Sequence, residues 1–224
     1  MRGATEVQQA RRNNGPLTDR GAQRKRALLE AARRVFEDKG FIDTRVVDIV
    51  KEAKVSHGTF YTYFDTKEAV FIAVAHDVID QMLSSMAISI PTARLDERVR
   101  NSVRRFVEAY RPHAAMIGLM EQVGSTSPEM RELRLDVRDS FVQRTRRGIA
   151  RMKADGLTDG ALDEEYTAEV LGAMLDNTCY VWFCLDKNFD ADRMIESLST
   201  VWLKTLAPSP GSFDHPAAEG LGES

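Results

Sequence analysis

Between Val55 and Lys67 the chain reads VSHGTFYTYFDTK, which puts Phe60, Tyr61, Tyr63 and Phe64 close together although aromatics make up only 8% of the sequence. The polar groups here can make hydrogen bonds outward: the imidazole of His57, the hydroxyls of Thr59 and Thr62, two phenols and the Lys67 ammonium. Small hydroxyl side chains can come close to base edges, and phenols and cations suit phosphate oxygens. On a helix turning about 100° per residue, with His57 at zero, Phe60 falls near 300° and Phe64 near 340°, one apolar seam. Gly58, Thr59 and Thr62 fall at about 100°, 200° and 140° on the opposite face, with Tyr61 (about 40°) and Tyr63 (about 240°) flanking the seam. The two phenylalanines then anchor the helix, while the tyrosines border a small, hydroxylated outer face with their rings partly packed. Lys67 opens the next helix, whose free N–H groups also favour phosphate. The same pattern also fits an aromatic-rich core helix with incidental tyrosines.

Other chemistries find little support. There is no H-E-x-x-H, G-x-S-x-G or Gly-rich phosphate loop. The four histidines, at 57, 76, 113 and 215, are scattered. Acidic runs such as Asp163-Glu164-Glu165 read as helix starts. Cys179 and Cys184 have neither Cys-x-x-Cys spacing nor a nearby His for metal binding, nor a basic neighbour to lower a thiol pKa, so they read as buried, inert thiols. We expect no enzyme, no metal and no cofactor.

Charge distribution supports the recognition reading. The net charge is −3, but residues 1–67 carry 14 Lys+Arg against 9 Asp+Glu. A basic front on an acidic body suggests that the front alone meets a polyanion. No apolar run approaches the ~18 residues of a membrane span, and the first residues lack the apolar region of a signal peptide. Both point to the cytoplasm and no membrane partner.

The elements that must hold these residues are helical throughout. Residues 1–18 read as a disordered basic arm. A first helix starts at Thr18 or Asp19, carries Leu28, Ala31, Ala32, Val35 and Phe36 inward, and ends at Lys39-Gly40. Thr44 caps a short second helix, residues 54–56 form a turn, and a third helix spans His57 to Phe64. Asp65 or Thr66 caps a fourth, from Lys67 to about Ser89 before Pro91. Further helices cover about 93–110, 112–124, 128–155, 163–185 and 190–206, and residues 207–224 read as a disordered tail. The fold class is all-α with about nine helices. Residues 19–66 form a three-helix, helix–turn–helix domain and 67–206 a helical body. Two short helices across a three-residue turn is the arrangement that lays the second into a DNA major groove.

The ordered series Gly40-Phe41, Thr44, Val46, Asp48-Ile49, Ala53, Val55-Ser56, Gly58-Thr59-Phe60-Tyr61, Tyr63-Phe64 and Lys67-Glu68-Ala69 resembles the DNA-binding domain of TetR-family (tetracycline-repressor-like) transcriptional regulators over roughly residues 20–70. The rest is similar only in helix count and length. The resemblance implies that Thr44 caps its helix and contacts phosphate. It places His57, Gly58, Thr59, Tyr61 and Thr62 near bases or backbone, and Tyr63 and Lys67 on phosphates. Three positions depart from the family pattern. Arg45 replaces a small hydroxyl and can add a phosphate contact; Val50 replaces an Ala; Lys54 replaces a Gly. If Lys54 has positive φ, its side chain costs roughly 1 kcal/mol, which DNA phosphate could offset.

The body carries two apolar stripes on its last helices. Val170, Met174, Val181 and Trp182 lie on one, Leu198, Val201 and Trp202 on the other; they suit either a core or a homodimer interface, which the resemblance favours. A dimer sets two recognition helices ~34–36 Å apart, matching a palindromic double-stranded operator. Met82, Met86, Phe106, Tyr110, Met116, Met120, Phe141, Asn177 and Tyr180 suit an adaptable pocket or an ordinary core. The resemblance implies a pocket for a small hydrophobic or amphipathic effector, with Asn177, Tyr180 or Tyr110 as polar anchors. The expected function is a ligand-responsive, sequence-specific DNA-binding regulator, by family default a repressor. The alternative is a helical protein–protein module without specific DNA binding.

Overall fold

The computed structural model describes residues 19–87 and 94–207. The expected basic arm, the stretch around Pro91 and nearly all of the expected tail lie outside them. Among the described residues there are nine α-helices, one 3-10 turn and no strand. We number the helices α1 (Asp19–Asp43), α2 (Val46–Glu52), α3 (His57–Tyr63), α4 (Lys67–Ser85), α5 (Leu95–Tyr110), α6 (Ala114–Val123), α7 (Pro128–Ala154), α8 (Glu164–Phe183) and α9 (Ala191–Leu206). None is long and apolar enough to cross a membrane.

The chain divides into two compact units. The described parts of Met1–Gln81 and His113–Leu135 form one, and those of Met82–Pro112 and Asp136–Ser224 the other.

In the first unit, α1 buries the expected stripe of Leu28, Ala31, Ala32, Val35 and Phe36. The helix breaks at Gly40, whose φ of 77° and ψ of 170° suit only glycine. The chain then turns so that Phe41 joins Phe36 and Phe71, with ring centroids 6.0 and 4.8 Å away. Thr66 caps α4, its hydroxyl accepting from the Ala69 N–H at 3.0 Å. Helix α6 packs on α1 and buries Met116, Ile117, Met120 and Val123. Ser127 caps α7 by accepting from the Met130 N–H at 3.2 Å.

Two expectations for this part of the chain need correction. Thr44 is not the cap of α2; Arg45 stands at that position. The break at Gly40 lets the Thr44 hydroxyl donate back to the Gly40 carbonyl at 2.6 Å, and the residue is buried. The start of α2 is held from inside instead, the Arg45 N–H donating to Asp48 at 3.0 Å. Helix α4 also stops at Ser85, short of the expected Ser89. The Arg144 guanidinium hydrogen-bonds the Met86 carbonyl there, satisfying a terminal acceptor that further helix would have used.

In the second unit, α9 lies along α5, and α8 touches α5 as well. Val99, Val103, Phe106, Val107 and Tyr110 of α5 are buried, as are Leu171, Leu175, Cys179 and Trp182 of α8. Asp163 and Asp190 cap α8 and α9, accepting from the Tyr166 N–H at 3.1 Å and the Arg193 N–H at 2.9 Å. Burial, followed by the charge of Asp176, pushes the Cys179 thiol well above its ordinary range.

Candidate nucleic-acid interface

The geometry of α3 is set at both ends. Ser56 caps it, its hydroxyl accepting from the Thr59 N–H at 3.1 Å and lying 2.9 Å from the Thr59 hydroxyl. Phe60 is fully buried, and Phe64 is the buried C-cap. The apolar seam is therefore where the spacing put it, and the opposite face is open. His57, Gly58, Tyr61 and Thr62 are exposed, Thr59 and Tyr63 half-buried. Tyr61 rests edge-on against Phe60 at 5.4 Å while remaining 54% exposed, so its ring is tethered and its phenol is free to turn outward. The Thr62 hydroxyl donates to the Gly58 carbonyl at 2.9 Å, leaving its oxygen as an acceptor toward solvent. Sequence reasoning named Ser56 only as part of the resemblance. The S-x-x-T spacing ahead of an aromatic run was the signal that could have found the cap.

Gly58 has a specific meaning. It sits in regular helix, where Gly costs about 0.5–1 kcal/mol relative to Ala. A Cβ built there would meet only the Ser56 hydroxyl, at 3.8 Å. No packing inside the protein requires the missing side chain. Its absence leaves a smooth, close approach on the exposed face.

The turn that aims α3 closes α2 with two reversed hydrogen bonds. The Lys54 N–H donates to the Lys51 carbonyl at 3.2 Å and the Val55 N–H to the Val50 carbonyl at 3.0 Å. This is the Schellman arrangement, which needs a left-handed residue in the middle. Lys54 takes that conformation, with φ 54°. The strain foreseen from its departure from Gly is therefore present, at about 1 kcal/mol.

Charge around this face is arranged unevenly. Arg34 pairs with Glu52 and Lys39 with Asp48, each at 2.8 Å, tying α1 to α2. The Lys39 hydrogen bond, with that from the Arg45 N–H, holds the Asp48 carboxyl below its usual range. Lys51 and Lys54 are exposed and make no ion pair among the described residues. Arg45 is exposed beside them.

Lys67 has partners inside the protein. Its ammonium donates to the Phe41 carbonyl at 2.8 Å and the Ile42 carbonyl at 3.3 Å, and lies 4.4 Å from the Phe41 ring centroid. The carbonyls freed by the break at Gly40 lie close to the start of α4 and capture it. Lys67, like Thr44, holds the frame of the interface.

The body residues separate as well. Met82, Met86, Phe106 and Tyr110 are buried in the second unit, with Phe141 and Tyr180 half-buried there. Phe141 meets Phe106 edge-on at 5.5 Å, and Tyr110 lies 6.0 Å from Phe183 with its hydroxyl 3.9 Å from the Cys184 sulfur. Burial, ahead of the charge of Asp176, pushes the Tyr110 phenol far above its ordinary range, so it stays neutral. Met116 and Met120 are buried in the first unit. Asn177 is exposed, on the helical face that carries Tyr166 and Val170, so it is not an anchor for a buried ligand. The two dimer stripes split likewise. Trp182, Leu198 and Trp202 point into the protein's own core, Val170 and Val201 are exposed, and Met174 and Val181 are half-buried.

A short capped helix with an open polar face, set across a tight turn from a second short helix, defines a helix–turn–helix nucleic-acid-binding head. A profile described as "Bacterial regulatory proteins, tetR family" matches residues 28–74, and one described as "Transcriptional regulator EthR, C-terminal domain" matches residues 99–207. The chain belongs to the TetR family of DNA-binding transcriptional regulators. The HTH-type transcriptional regulator EthR of Mycobacterium tuberculosis is 26% identical over 190 residues, covering 83% of this chain and 88% of that protein. Among solved structures, Salmonella enterica GusR matches with a TM-score of 0.70 at 21% identity, over 86% of this chain and 99% of that one. FadR from Bacillus subtilis, solved in complex with stearoyl-CoA, matches at 0.65 and 18% identity, over 80% and 98%. The two structural matches speak to the fold alone.

Proposed function

We propose that the protein is a ligand-responsive repressor that binds a palindromic operator as a homodimer and is modulated by a small hydrophobic or amphipathic effector. The observation that carries the DNA part is Gly58: a helical glycine on an exposed face, with no internal reason for lacking a side chain. His57, Gly58, Thr59 and Thr62 face the bases in this reading, and Tyr61, Tyr63, Arg45 and Lys54 the flanking phosphates. Thr44 and Lys67 brace the segment that leads from α1 into α2, Lys67 from the start of α4.

The exposed apolar residues of the last two helices support the dimer. Tyr166 is 73%, Val170 67% and Val201 46% exposed, on helices whose other faces are buried. A second copy of the chain would cover them, and the two heads would then read half-sites one turn apart. The effector reading rests on the Met and aromatic cluster of the second unit, and FadR with its stearoyl-CoA gives one precedent for an amphipathic ligand on this fold. An effector that prefers one arrangement of the two heads shifts the population away from the DNA-competent one. A coupling of ~1–3 kcal/mol would change DNA affinity ~5–150-fold.

Selection of bound duplexes from a random pool tests the central claim. A two-fold symmetric consensus is expected. Recovery of unrelated sequences would refute specific operator binding.

A further inference from the structure

The second unit treats its arginines in two ways. Arg98, Arg100, Arg104 and Arg138 each meet a carboxylate: Asp155 at 2.5 Å, Glu196 at 3.2 Å, Asp192 at 3.4 Å and Glu169 at 2.5 Å. Arg105, Arg144, Arg147 and Arg151 meet none among the described residues, nor do Arg111, Arg146 and Arg193, but only the first four converge on one place. Arg144, Arg147 and Arg151 stand three and seven apart on α7, on one face of the helix. The edge-on contact of Phe106 with Phe141 docks α5 against α7 one turn away and brings Arg105 to the same place. Arg144 is half-buried and anchored on the Met86 carbonyl. Burial, then Arg147, Arg151 and Arg105, holds its guanidinium below its ordinary range. Asp155, four residues beyond Arg151, is already engaged with Arg98.

Like charges at this spacing destabilise a helix. Arg98, Arg100, Arg104 and Arg138 show that other arginines of the unit do find carboxylates. The uncompensated cluster also adjoins the buried apolar residues Met86 and Phe106. We propose that Arg105, Arg144, Arg147 and Arg151 form the site for an anionic head of the effector, a phosphate group, whose apolar remainder lies against Met86, Phe106 and Phe141. This rests on the effector reading above and names its chemistry. A carboxylate would neutralise one of four cations. A phosphate monoester brings about 1.5 to 2 negative charges and three acceptor oxygens that guanidinium forks match. Arg147 and Arg151 are exposed, so the head can arrive from solvent.

The test is calorimetric titration of the full chain with three probes of equal chain length, the two anions below their micellar concentrations and the alcohol below its solubility limit: dodecyl phosphate, dodecanoate and dodecanol. Dodecyl phosphate should bind about tenfold or more tighter than dodecanol, with dodecanoate between, and its affinity should fall as salt rises. In the Arg147→Gln/Arg151→Gln variant the phosphate should bind no better than the alcohol. That variant should unfold at the same or a higher temperature without ligand, because mutual repulsion is removed. Equal binding of phosphate and alcohol by the unsubstituted protein would overturn the head site and leave the effector reading standing. No binding of any probe would overturn both. A variant that keeps its phosphate preference, or is less stable than the parent, would show that these arginines are not the site.

Discussion

Helices α2 and α7 end with the same hydrogen-bond pattern and different residues. At the end of α7, Gly156 sits at φ 70°, its N–H donating to the Lys153 carbonyl at 3.0 Å and the Leu157 N–H to the Met152 carbonyl at 2.9 Å. At the end of α2, Lys54 sits at φ 54° in the matching position. The end of α7 uses the residue that backbone sterics prefer and the end of α2 accepts strain; Asp186, after α8, is a second left-handed non-glycine at φ 53°. Three residues past that turn begins α3, and within it Gly58 breaks the opposite rule, a glycine where a side chain would fit. Asp163, Asp190 and Ser127 in the long helices are all favourable caps. Departures from local preference gather at functional sites, where an outside partner supplies the compensation. In this chain Lys54 and Gly58 stand together at the joint between the two short helices, whereas Asp186 is of a type that tolerates the left-handed region.

If that reading of the two ends is right, substitutions should move them in opposite directions. Gly156→Ala should cost about 1–2 kcal/mol of stability, since a Cβ meets nothing there and the cost is the left-handed backbone alone. Urea denaturation measures it. A change near zero would mean the turn relaxes away from positive φ, and the contrast with Lys54 would lose its basis.

Gly58→Ala should do the reverse in the free protein and raise stability by about 0.5–1 kcal/mol. It should also weaken operator binding about tenfold or more, equivalent to at least ~1.4 kcal/mol. The two measurements together are diagnostic. A variant that gains stability and keeps its affinity would show that the open face does not meet DNA closely.

Lys54→Gly should raise stability by a smaller net amount, roughly 0.5 kcal/mol, because relief of the left-handed strain is partly offset by glycine's greater freedom when unfolded. The logarithmic salt dependence of DNA binding should become shallower by about one unit if Lys54 sits on a phosphate. Lys67→Ala is the internal comparison. Its ammonium is bonded to the Phe41 and Ile42 carbonyls, so the loss should appear in stability more than in salt slope.

What could be read from the sequence follows the range of the interactions. The buried stripe of α1, the break at Gly40 and the caps at Asp163 and Asp190 depend on neighbours within a turn, and each was visible in residue type and spacing. The two faces of α3 followed from helical phase. Thr44 was misplaced as a cap because its hydroxyl turns back to the Gly40 carbonyl, and the carbonyl partners of Lys67, up to 26 residues away in the chain, leave no local signal. Asn177 and the tryptophans could not be placed from the sequence for a related reason. Amphipathicity says that a helix has an apolar side, but α8 and α9 carry apolar residues on two sides, and only packing against α5 decides which is core. The positive φ of Lys54 was legible only by contrast with a family pattern.

One more unfavourable juxtaposition lies in the head unit, and its effect should be the smallest. An Arg33 N–H donates to Nδ1 of His113 at 3.1 Å, which requires a neutral imidazole with its proton on Nε2. Burial, followed by the Arg33 charge, lowers the His113 pKa; Glu37 and Asp77 act weakly the other way. A folded pKa below the ordinary 6.5 means that the unfolded chain binds the proton more readily. The contribution to stability is therefore complete above about pH 6.5 and is lost as pH falls through the lower folded value. Between pH 7 and 5 the protein should lose stability, and His113→Gln should lose less of it over the same range. The variant keeps a side-chain acceptor for Arg33 but cannot take up the proton. Parallel pH profiles for the two proteins would show that the imidazole is already paired favourably in both charge states, and that the strain of the head is confined to the joint between α2 and α3.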